Sequence, residues 1–375
     1  MPTGIEDCIC ALYPRRKRRG FTAHRIMIRR LLLTTLLIAT PLCATNGLRQ
    51  IGRGVKAKGM GGVGIANPQS AFSQVANPAN LVFLCNRADV DLWWIEQRNE
   101  DLWWPEGAAK IDWWRHQALG GAIYVYGDSK TPQVRHGAVA FSPAWAWRLH
   151  PCHAFGIAVN FVLEWYNKRG RFLNQASVQP GRVANQGRGV EWGINARFGW
   201  ISQLGDCVRI GLTYQTTTIV SQMRRYRGFI PGGGELHLPQ ELGAGITYKP
   251  YSCLLLGLDI LEIFWRDSLY YRNGFNPNAP LGSNRGPGLG WSNQFVVKLG
   301  AAWTPISCLT LRMGYNHGDS PVQINNPLAA VEPLTTSDHL TAGLTYALGC
   351  NELSIAYIHG FRHQRSVGIA YGRLF

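Results

Sequence analysis

The stretch HLTAGLTYALGCNELSIAY, residues 339–357, decides the fold class of this 375-residue chain. Its first half places apolar side chains at every second position, a period of two that belongs to β-strands rather than helices. These side chains are Leu340, Ala342, Leu344, Tyr346 and Leu348. A turn through Gly349 and Cys350 leads into a second alternating run, so the stretch predicts a β-hairpin.

The same unit recurs along the chain. Five cysteines each follow a short Pro/Gly turn and precede an alternating strand, at intervals of 42 to 55 residues. They are Cys152, Cys207, Cys253, Cys308 and Cys350. Each interval accommodates two strands of about ten residues, which is the length of a tilted membrane strand. Alternation alone does not separate a soluble β-sandwich from a membrane barrel.

The connections separate these two folds. Links at the cysteine end have a few residues, whereas the opposite links at 166–187, 218–237, 268–292 and 318–338 are long and polar. Short turns at one end and long loops at the other are typical of outer-membrane barrels. We therefore predict an all-β fold, a transmembrane antiparallel β-barrel of about 14 strands. The expected spans are 88–96, 108–115, 119–126, 136–148, 153–165, 188–202, 207–217, 238–248, 252–266, 293–303, 308–317, 339–348, 351–360 and 366–375.

Both ends of the chain support export to the bacterial outer membrane. Arg29 and Arg30 precede the apolar run LLLTTLLIATPLCA, which predicts a leader and signal peptide over 1–44, with Met27 as an alternative start. The basic run RRKRR at 15–19 lies ahead of this signal, which argues against a nucleic-acid site there. At the other end, SVGIAYGRLF alternates and ends on Phe375, as barrel sequences do. Arg373 departs from the usual apolar residue at its position.

Composition adds two expectations. The formal net charge is +16, which favours acidic partners such as anionic lipid headgroups, although a merely basic surface gives the same charge. The repeats DLWW, DLWW and DWW at 91–94, 101–104 and 112–114 favour an aromatic girdle at a membrane interface over a carbohydrate-stacking surface. Neighbouring tryptophans cannot share one face of a strand, so one of each pair should face the interior or a loop.

Residues 45–86 lack alternation and precede the barrel expected at 87–375. Within them, KGMGGVG places Gly59, Gly61 and Gly64 at the spacing of a dinucleotide-binding turn. That function requires a preceding apolar strand and a following helix. The upstream residues are basic and Gly-rich, and Pro68 and Pro78 interrupt the downstream helix. The glycines therefore serve either a plug or a flexible linker after the signal.

The residues of this segment carry a resemblance. Gly59-Met60-Gly61-Gly62-Val63-Gly64, Pro68-Gln69 and Asn77-Pro78-Ala79 resemble the N-terminal hatch of the FadL/OmpP1/TodX family of outer-membrane transporters of hydrophobic compounds. LRMGYNHGDSPV at 311–322 also resembles a stretch of this family, and Ser70 departs from its usual Asp. The middle of the chain matches only in strand rhythm.

The resemblance implies a function. Family members are 14-stranded barrels plugged by the hatch, and they carry long-chain fatty acids or aromatic hydrocarbons past lipopolysaccharide and the outer-membrane lipid. They release the ligand sideways through a gap beside a kinked strand. The partners expected here are therefore such hydrophobic small molecules together with outer-membrane lipid and lipopolysaccharide, with no nucleic acid and no cofactor.

Ligand contacts are predicted at five residues. A fatty acid requires a cation at its headgroup, for which Arg312, Lys298 and Arg197 are candidates, although barrel interiors are polar in any case. Phe229 and Ile230 in the loop FIPGGGELHLP are candidates for entrance contacts, with a plain extracellular loop as the alternative.

Other function classes have weaker support. The chain has no C-x-x-C, HExxH or G-x-S-x-G motif, so we predict neither an enzyme nor a metal site. His317, Asp319 and Ser320 share one loop, but nearness in sequence does not define a triad. The alternatives are an outer-membrane lipase, a porin, or a structural or adhesin barrel cross-linked through its cysteines.

Six cysteines follow the signal and are candidates for disulfides: Cys85, Cys152, Cys207, Cys253, Cys308 and Cys350. The five at the short turns face the oxidising periplasm in the predicted barrel. Neighbouring turns lie about 10 Å apart, beyond the ~7 Å between Cα atoms that a disulfide spans. We expect bent turns that pair neighbours, bonds to other Cys-containing envelope proteins, or free thiols that behave as small hydrophobes.

Overall fold

The structure is a computed structural model. It describes residues 46–97, 100–130, 134–168, 185–276, 278–323, 326, 337–361 and 364–375. The leader expected at residues 1–44, with its alternative start at Met27, lies outside these ranges.

Antiparallel strands form one closed barrel, as predicted. Neighbours in the chain pair with each other, and the cylinder closes where β1 pairs with β15. A two-residue strand, β8, adds to one edge of β6 and leaves 14 strands in the wall. The strands are β1 (Arg87–Gln97), β2 (Glu100–Trp114), β3 (Gln117–Lys130), β4 (Val134–His150), β5 (His153–Lys168), β6 (Gly189–Leu204), β7 (Val208–Gln215), β8 (Ile219–Val220), β9 (Glu241–Tyr251), β10 (Leu254–Ile263), β11 (Gln294–Ile306), β12 (Leu309–Gly318), β13 (Asp338–Leu348), β14 (Asn351–Gly360) and β15 (Gln364–Leu374).

The bounds of most strands lie close to the expected ones, and β2 is the main exception. We expected this strand at 108–115, but it begins at Glu100 and pairs with β1 along its whole first part. Trp93 pairs with Trp104 in this ladder, so the first two DLWW repeats belong to one hairpin. The adjacent tryptophans hide the alternation, because both members of a pair are apolar whichever way each one faces.

Side chains alternate as the sequence predicts. On β13, Leu340 and Leu344 are exposed, whereas Thr341 and Thr345 are buried in the lumen. The tryptophan pairs divide similarly in β1, where Trp93 is buried and Trp94 is partly exposed. Leu, Ile, Phe, Tyr and Trp side chains are exposed around the outer face on nearly every strand. An apolar exterior of this extent requires a partner other than water.

The two ends of the barrel differ in their connections. At one end, six turns of two or three residues lie at 115–116, 151–152, 205–207, 252–253, 307–308 and 349–350. At the other end, the connections are long at 169–188, 216–240, 264–293 and 319–337 and short at 98–99, 131–133 and 361–363. The four long loops are those that the sequence predicts.

Short helices occur in the N-terminal segment and in the loops. The segment contains α1 (Gly54–Lys58), α2 (Ser73–Ala76) and a 3-10 helix (Pro78–Phe83). The loops contain α3 (Pro231–Gly234), α4 (Leu269–Arg272) and 3-10 turns at Arg224–Tyr226 and Trp265–Asp267. Within the ranges given above, none of the helices has the length and apolar character needed to cross a membrane.

Candidate functional site

The segment from Asn46 to Asn86, called the hatch below, lies inside the barrel. Nearly all of its side chains up to Leu84 are buried, including those of Lys56 and Lys58. Its short helices pack against the wall, α1 against β13 to β15 and the 3-10 helix against β3 to β6. The segment therefore plugs the lumen rather than linking a signal to the first strand.

The hatch glycines allow two close approaches. Gly61 and Gly62 have φ angles of +69° and +86°, which L side chains rarely adopt. A Cβ on Gly62 would lie 1.8 Å from the carbonyl oxygen of Ile51, and one on Gly61 would lie 2.4 Å from that of Leu299. Gly62 thus folds the hatch onto itself, and Gly61 brings the hatch backbone against the barrel wall.

Lumen-facing glycines on the strands complement this contact. The wall glycines Gly156, Gly199, Gly300 and Gly314 lie where the hatch touches β5, β6, β11 and β12. A Cβ on Gly314 would lie 2.1 Å from the amide nitrogen of Gly61, and one on Gly199 would lie 1.9 Å from Oδ1 of Asn77. The hatch therefore rests on positions of the wall that have no side chain.

Wall side chains satisfy the irregular hatch backbone. Asp259 Oδ2 accepts hydrogen bonds from the amides of Gly64 at 2.7 Å and Ile65 at 3.0 Å. Asp91 accepts one from Val55 at 2.6 Å, and Asp89 accepts one from Ala71 at 2.7 Å. Since unpaired polar groups are costly away from water, these carboxylates stabilise the hatch in place.

The Asn-Pro-Ala triplet joins the hatch to two strands. The Asn77 side-chain amide donates to the carbonyl oxygens of Ile65 at 2.9 Å, Trp200 at 3.1 Å and Leu212 at 3.2 Å. Its Oδ1 accepts from the Ala79 amide at 3.0 Å and so caps the 3-10 helix, in which Pro78 is the first residue. Pro68 is buried in the hatch, and Gly59 ends α1.

Buried ion pairs also join hatch and wall. Lys56 lies 2.5 Å from Glu352, Arg49 lies 2.7 Å from Glu241, and Lys58 lies 3.7 Å from Glu106. Burial lowers the pKa of Lys56 to about 8, although Glu352 favours its charged form. Burial is the largest single influence on Arg49 and opposes its charge, but Glu241, Tyr126 and Tyr124 together outweigh burial and raise the pKa of Arg49. Breaking a buried pair costs about 3–5 kcal/mol, because the remaining charge loses its partner.

The wall hydrogen bonding is interrupted between β2 and β3. Their ladder runs from Trp114 opposite Gln117 up to Gly107 opposite Ile123 and stops there. In the described part of the chain, Glu100–Glu106 and Tyr124–Lys130 are not paired with each other, although each pairs with its other neighbour. We call these two stretches the ladder break. It lies in the half of the wall nearer the long loops.

Side chains and the hatch fill the ladder break. A bulge between Val125 and Gly127 bends β3 there. Glu106 Oε1 accepts from the Val125 amide at 2.9 Å, and Arg53 donates to the Val125 carbonyl at 2.6 Å. Arg49 forms an isolated antiparallel bridge with Gly127. The β3 edge therefore bonds to a side chain and to the hatch instead of to β2.

A small cavity of about 50 Å³ lies between the hatch and the wall formed by β6, β7 and β9 to β11. Four cationic side chains line it, together with two carboxylates. They are Arg49, Arg53, Arg197 and Lys298, with Glu241 and Asp259. Two of the cations, Arg49 and Arg53, also contact the β3 edge at the ladder break, so the cavity and the break share hatch residues.

The predicted cations occupy different surroundings. Arg197 bonds to Glu241 at 2.6 Å, and Lys298 forms no hydrogen bond or ion pair within 4 Å to the described residues. Arg312 lies away from the cavity lining and donates to Gln69 of the hatch at 3.0 Å and to Thr345 at 2.7 Å. The structure therefore brings Arg197 and Lys298 together on one cavity and leaves Arg312 on the hatch contact.

The predicted loop contacts lie in an apolar cluster at the long-loop end. Phe229 and Ile230 are buried there with loop aromatics such as Tyr226 and Tyr270, and with Leu48 and Phe72 of the hatch. Tyr226 packs edge-on against Tyr166 of β5, with ring centroids 5.0 Å apart. The loops thus cover the lumen and pack directly on the hatch.

Sequence reasoning did not identify Glu106, Arg49 or Arg53 as site residues. Arg49 and Arg53 stand in the RQIGR stretch beside the glycine motif, where their basic character argues against a buried strand and indicates no site. The sequence around Glu106 contains no signal for the ladder break, because the sequence of one strand does not show where its pairing with the next strand stops.

Comparisons with solved structures identify barrels of the same fold. The chain is 18% identical to the Ralstonia pickettii toluene transporter TbuX, with a TM-score of 0.66 over 87% of this chain and 99% of that one. It is 18% identical to the Pseudomonas putida toluene transporter TodX, with a TM-score of 0.64 over 88% of this chain and 100% of that one. A Pseudomonas aeruginosa FadL homologue gives 11% identity and a TM-score of 0.63 over 87% and 98% of the two chains. No family model and no curated protein sequence matches the chain.

Proposed function

We propose that this protein resides in the bacterial outer membrane and carries hydrophobic compounds through the barrel, releasing them sideways at the ladder break. The break carries the proposal. It interrupts the wall beside a hatch that closes the lumen, so it offers an apolar solute a route that avoids the periplasmic water. The apolar exterior supports the membrane location, because exposed Leu, Ile and aromatic side chains suit acyl chains.

The likeness to the toluene transporters and the FadL homologue supports the same transport class. At these identities the likeness concerns the fold, so the ligand is argued from the cavity. We infer a hydrophobic acid, such as a long-chain fatty acid. Four cations face two carboxylates around the cavity, and Lys298 has no partner within bonding distance in the described residues.

The second candidate ligand is a neutral monoaromatic hydrocarbon. The buried cluster at the long-loop end favours it, since Trp265 and Trp291 lie 5.0 Å apart there among several tyrosines. Aromatic rings offer faces and edges to a small aromatic solute without requiring a charge. In this case the cavity cations would serve only the hatch.

Uptake measurements test the proposal. Cells with and without the protein are given labelled palmitate or labelled toluene, and the expected result is faster palmitate uptake with the protein. Lys298→Gln should reduce palmitate uptake and leave toluene uptake unchanged. Arg312→Gln is the matched control, because it removes a lumen cation that does not line the cavity. Equal losses in both variants would contradict a headgroup site at Lys298, and no uptake of either compound would contradict transport.

A further inference from the structure

Five thiols occupy equivalent positions around one rim of the barrel. Cys152, Cys207, Cys253, Cys308 and Cys350 each lie in a short turn and immediately or almost immediately precede a strand. Their carbonyl oxygens accept from the amides of Gln203, Lys249, Thr304, Ala347 and Leu374, at 2.7, 2.7, 2.8, 2.8 and 2.8 Å respectively. The same backbone geometry therefore presents a cysteine five times.

The turn itself does not require cysteine. In the sixth short turn, at 115–116, His116 occupies the equivalent position and its carbonyl accepts from the Arg148 amide at 2.7 Å. Turns favour Gly, Asn, Asp, Ser and Pro for conformational reasons, and cysteine has no such advantage. The recurrence at five of six turns therefore points to the chemistry of sulfur.

These thiols are accessible and unpaired. All five are free, Cys207 and Cys253 are exposed, and the other three are partly exposed. They are thus not the small buried hydrophobes that free cysteines commonly become. The chain forms no disulfide among them, which agrees with turns about two strand spacings, or ~10 Å, apart. Cys85 lies between the 3-10 helix of the hatch and β1 instead of in a turn between two strands, so it does not belong to this set.

We propose that the rim thiols form disulfide bonds with cysteine-bearing proteins on the periplasmic side of the outer membrane and so anchor the barrel to an envelope layer. The proposal rests on the proposed function only for the side that the rim faces. The thiols surround the rim instead of clustering on one flank. A symmetric contact between two copies within the membrane would use only one or two adjacent turns, so a surrounding layer fits their placement better.

The chemistry is thiol–disulfide exchange. A rim thiolate attacks one sulfur of a disulfide on the partner, a new bond forms between the two chains, and the old bond breaks. The other partner sulfur leaves as a thiolate and takes up the proton that the rim thiol lost. No net oxidation occurs beyond that already held in the partner disulfide.

The first test uses oxidised glutathione as the disulfide and the folded, full-length protein in detergent. Relative to the variant with all five rim cysteines replaced, intact mass should show five more adducts on the wild type and four more on each single Cys→Ser variant. His116→Cys should gain a sixth adduct, because it puts a thiol at the remaining equivalent position. Adducts that form only after unfolding would overturn the proposal.

The second test examines envelopes quenched with N-ethylmaleimide and run on non-reducing gels. The wild type should migrate in larger species that return to monomer on reduction, and peptide mass spectrometry should join rim cysteines to cysteines of other proteins. A wild type that is monomeric, with all five thiols alkylated, would overturn the proposal, and so would links only between copies of this chain. The variant without rim thiols should retain hydrophobe uptake, which keeps this test separate from that of transport.

Discussion

Gly314 of β12 and Gly61 of the hatch bring two backbones into contact where any side chain would separate them. Their closeness gives the glycine-rich motif a packing function, because the motif follows the contour of the wall. Asn77 provides the complementary polar contact, since its amide reaches the carbonyls of two strands. Single residues thus decide both where the hatch touches the wall and how its backbone is satisfied.

The contact at Gly314 gives a prediction. Gly314→Ala adds a Cβ 2.1 Å from Gly61 N, so the hatch must shift away from β12. Overpacking of this kind costs about 1–3 kcal/mol, and we expect higher ion conductance in planar bilayers than for the wild type. Gly121→Ala is the control, because a Cβ there meets nothing within 4 Å. Equal conductance of the two variants would show that the hatch does not depend on this contact.

At the scale of elements, β3 is a strand that pairs with its neighbour β2 over only part of its length. Residues 117–123 of β3 pair with β2, whereas Val125 hydrogen-bonds to Glu106 and to Arg53 of the hatch. The bulge at Val125 lies at this transition. Because β3 stays paired with β4 along its length and with β2 only over residues 117–123, its unpaired stretch can move away from β2 while the rest of the strand stays fixed. Such a movement suits a sideways exit for the ligand.

Glu106 offers a test of that element. Glu106→Ala removes the acceptor of the Val125 amide, and we expect β3 to part from β2 more easily and hydrophobe uptake to rise. Glu106→Gln keeps an oxygen for that amide but removes the charge facing Lys58, so its uptake should stay near that of the wild type. If both variants change alike, the ion pair with Lys58 controls the break instead of the hydrogen bond.

For the molecule as a whole, one sheet has an apolar outer face that suits lipid and an inner face that lines a polar lumen. Leu344 lies in the middle of β13, and Leu348 ends the same strand on the same outer face. An arginine at mid-membrane costs about 2–4 kcal/mol, and one near the interface costs about 0–1 kcal/mol. Leu344→Arg should therefore impair folding into lipid bilayers far more than Leu348→Arg, as measured by urea titration of folding. Equal effects would contradict a membrane-spanning belt.

Removing the hatch tests the role of the lumen. A chain lacking residues 46–84 should keep the barrel, because the strands close on themselves, and should conduct ions strongly in planar bilayers. Far-ultraviolet circular dichroism serves as the control for intact strands. Conductance equal to that of the full chain would show that the hatch does not close the lumen.

Much of this fold is readable from sequence, and the reasons are physical. Alternation at residues such as Leu340 and Thr341 follows directly from the geometry of a strand between lipid and lumen, so strand number and loop order were predictable. The early start of β2 was not predictable, because the adjacent Trp103 and Trp104 put an apolar side chain on each face of the strand and hide the alternation. The ladder break was not predictable either, because it depends on the pairing between two strands. The YVYGDSK stretch of β3, residues 124–130, has the pattern of an ordinary strand.

The candidate site was predictable in part for a similar reason. The glycines and Asn77 form a local pattern, whereas the cavity cations come from the hatch, β6 and β11 and meet only in three dimensions. The sequence gives Arg312 inward parity and leaves the facing of Arg197 and Lys298 open, and only the position of the hatch shows that the cavity is lined by these two and not by Arg312.

The contact between hatch and wall bears on how the molecule is built. The hatch precedes β1 in the chain, and β15, which completes the cylinder against β1, comes last. The hatch backbone touches the wall at Gly61, and the charged side chains of Lys56 and Lys58 are buried in the lumen. A barrel that has already closed would therefore leave no room for the hatch to enter. We therefore expect the hatch to enter the lumen before β15 pairs with β1, so that the last step of assembly encloses it, although the strands themselves close without it.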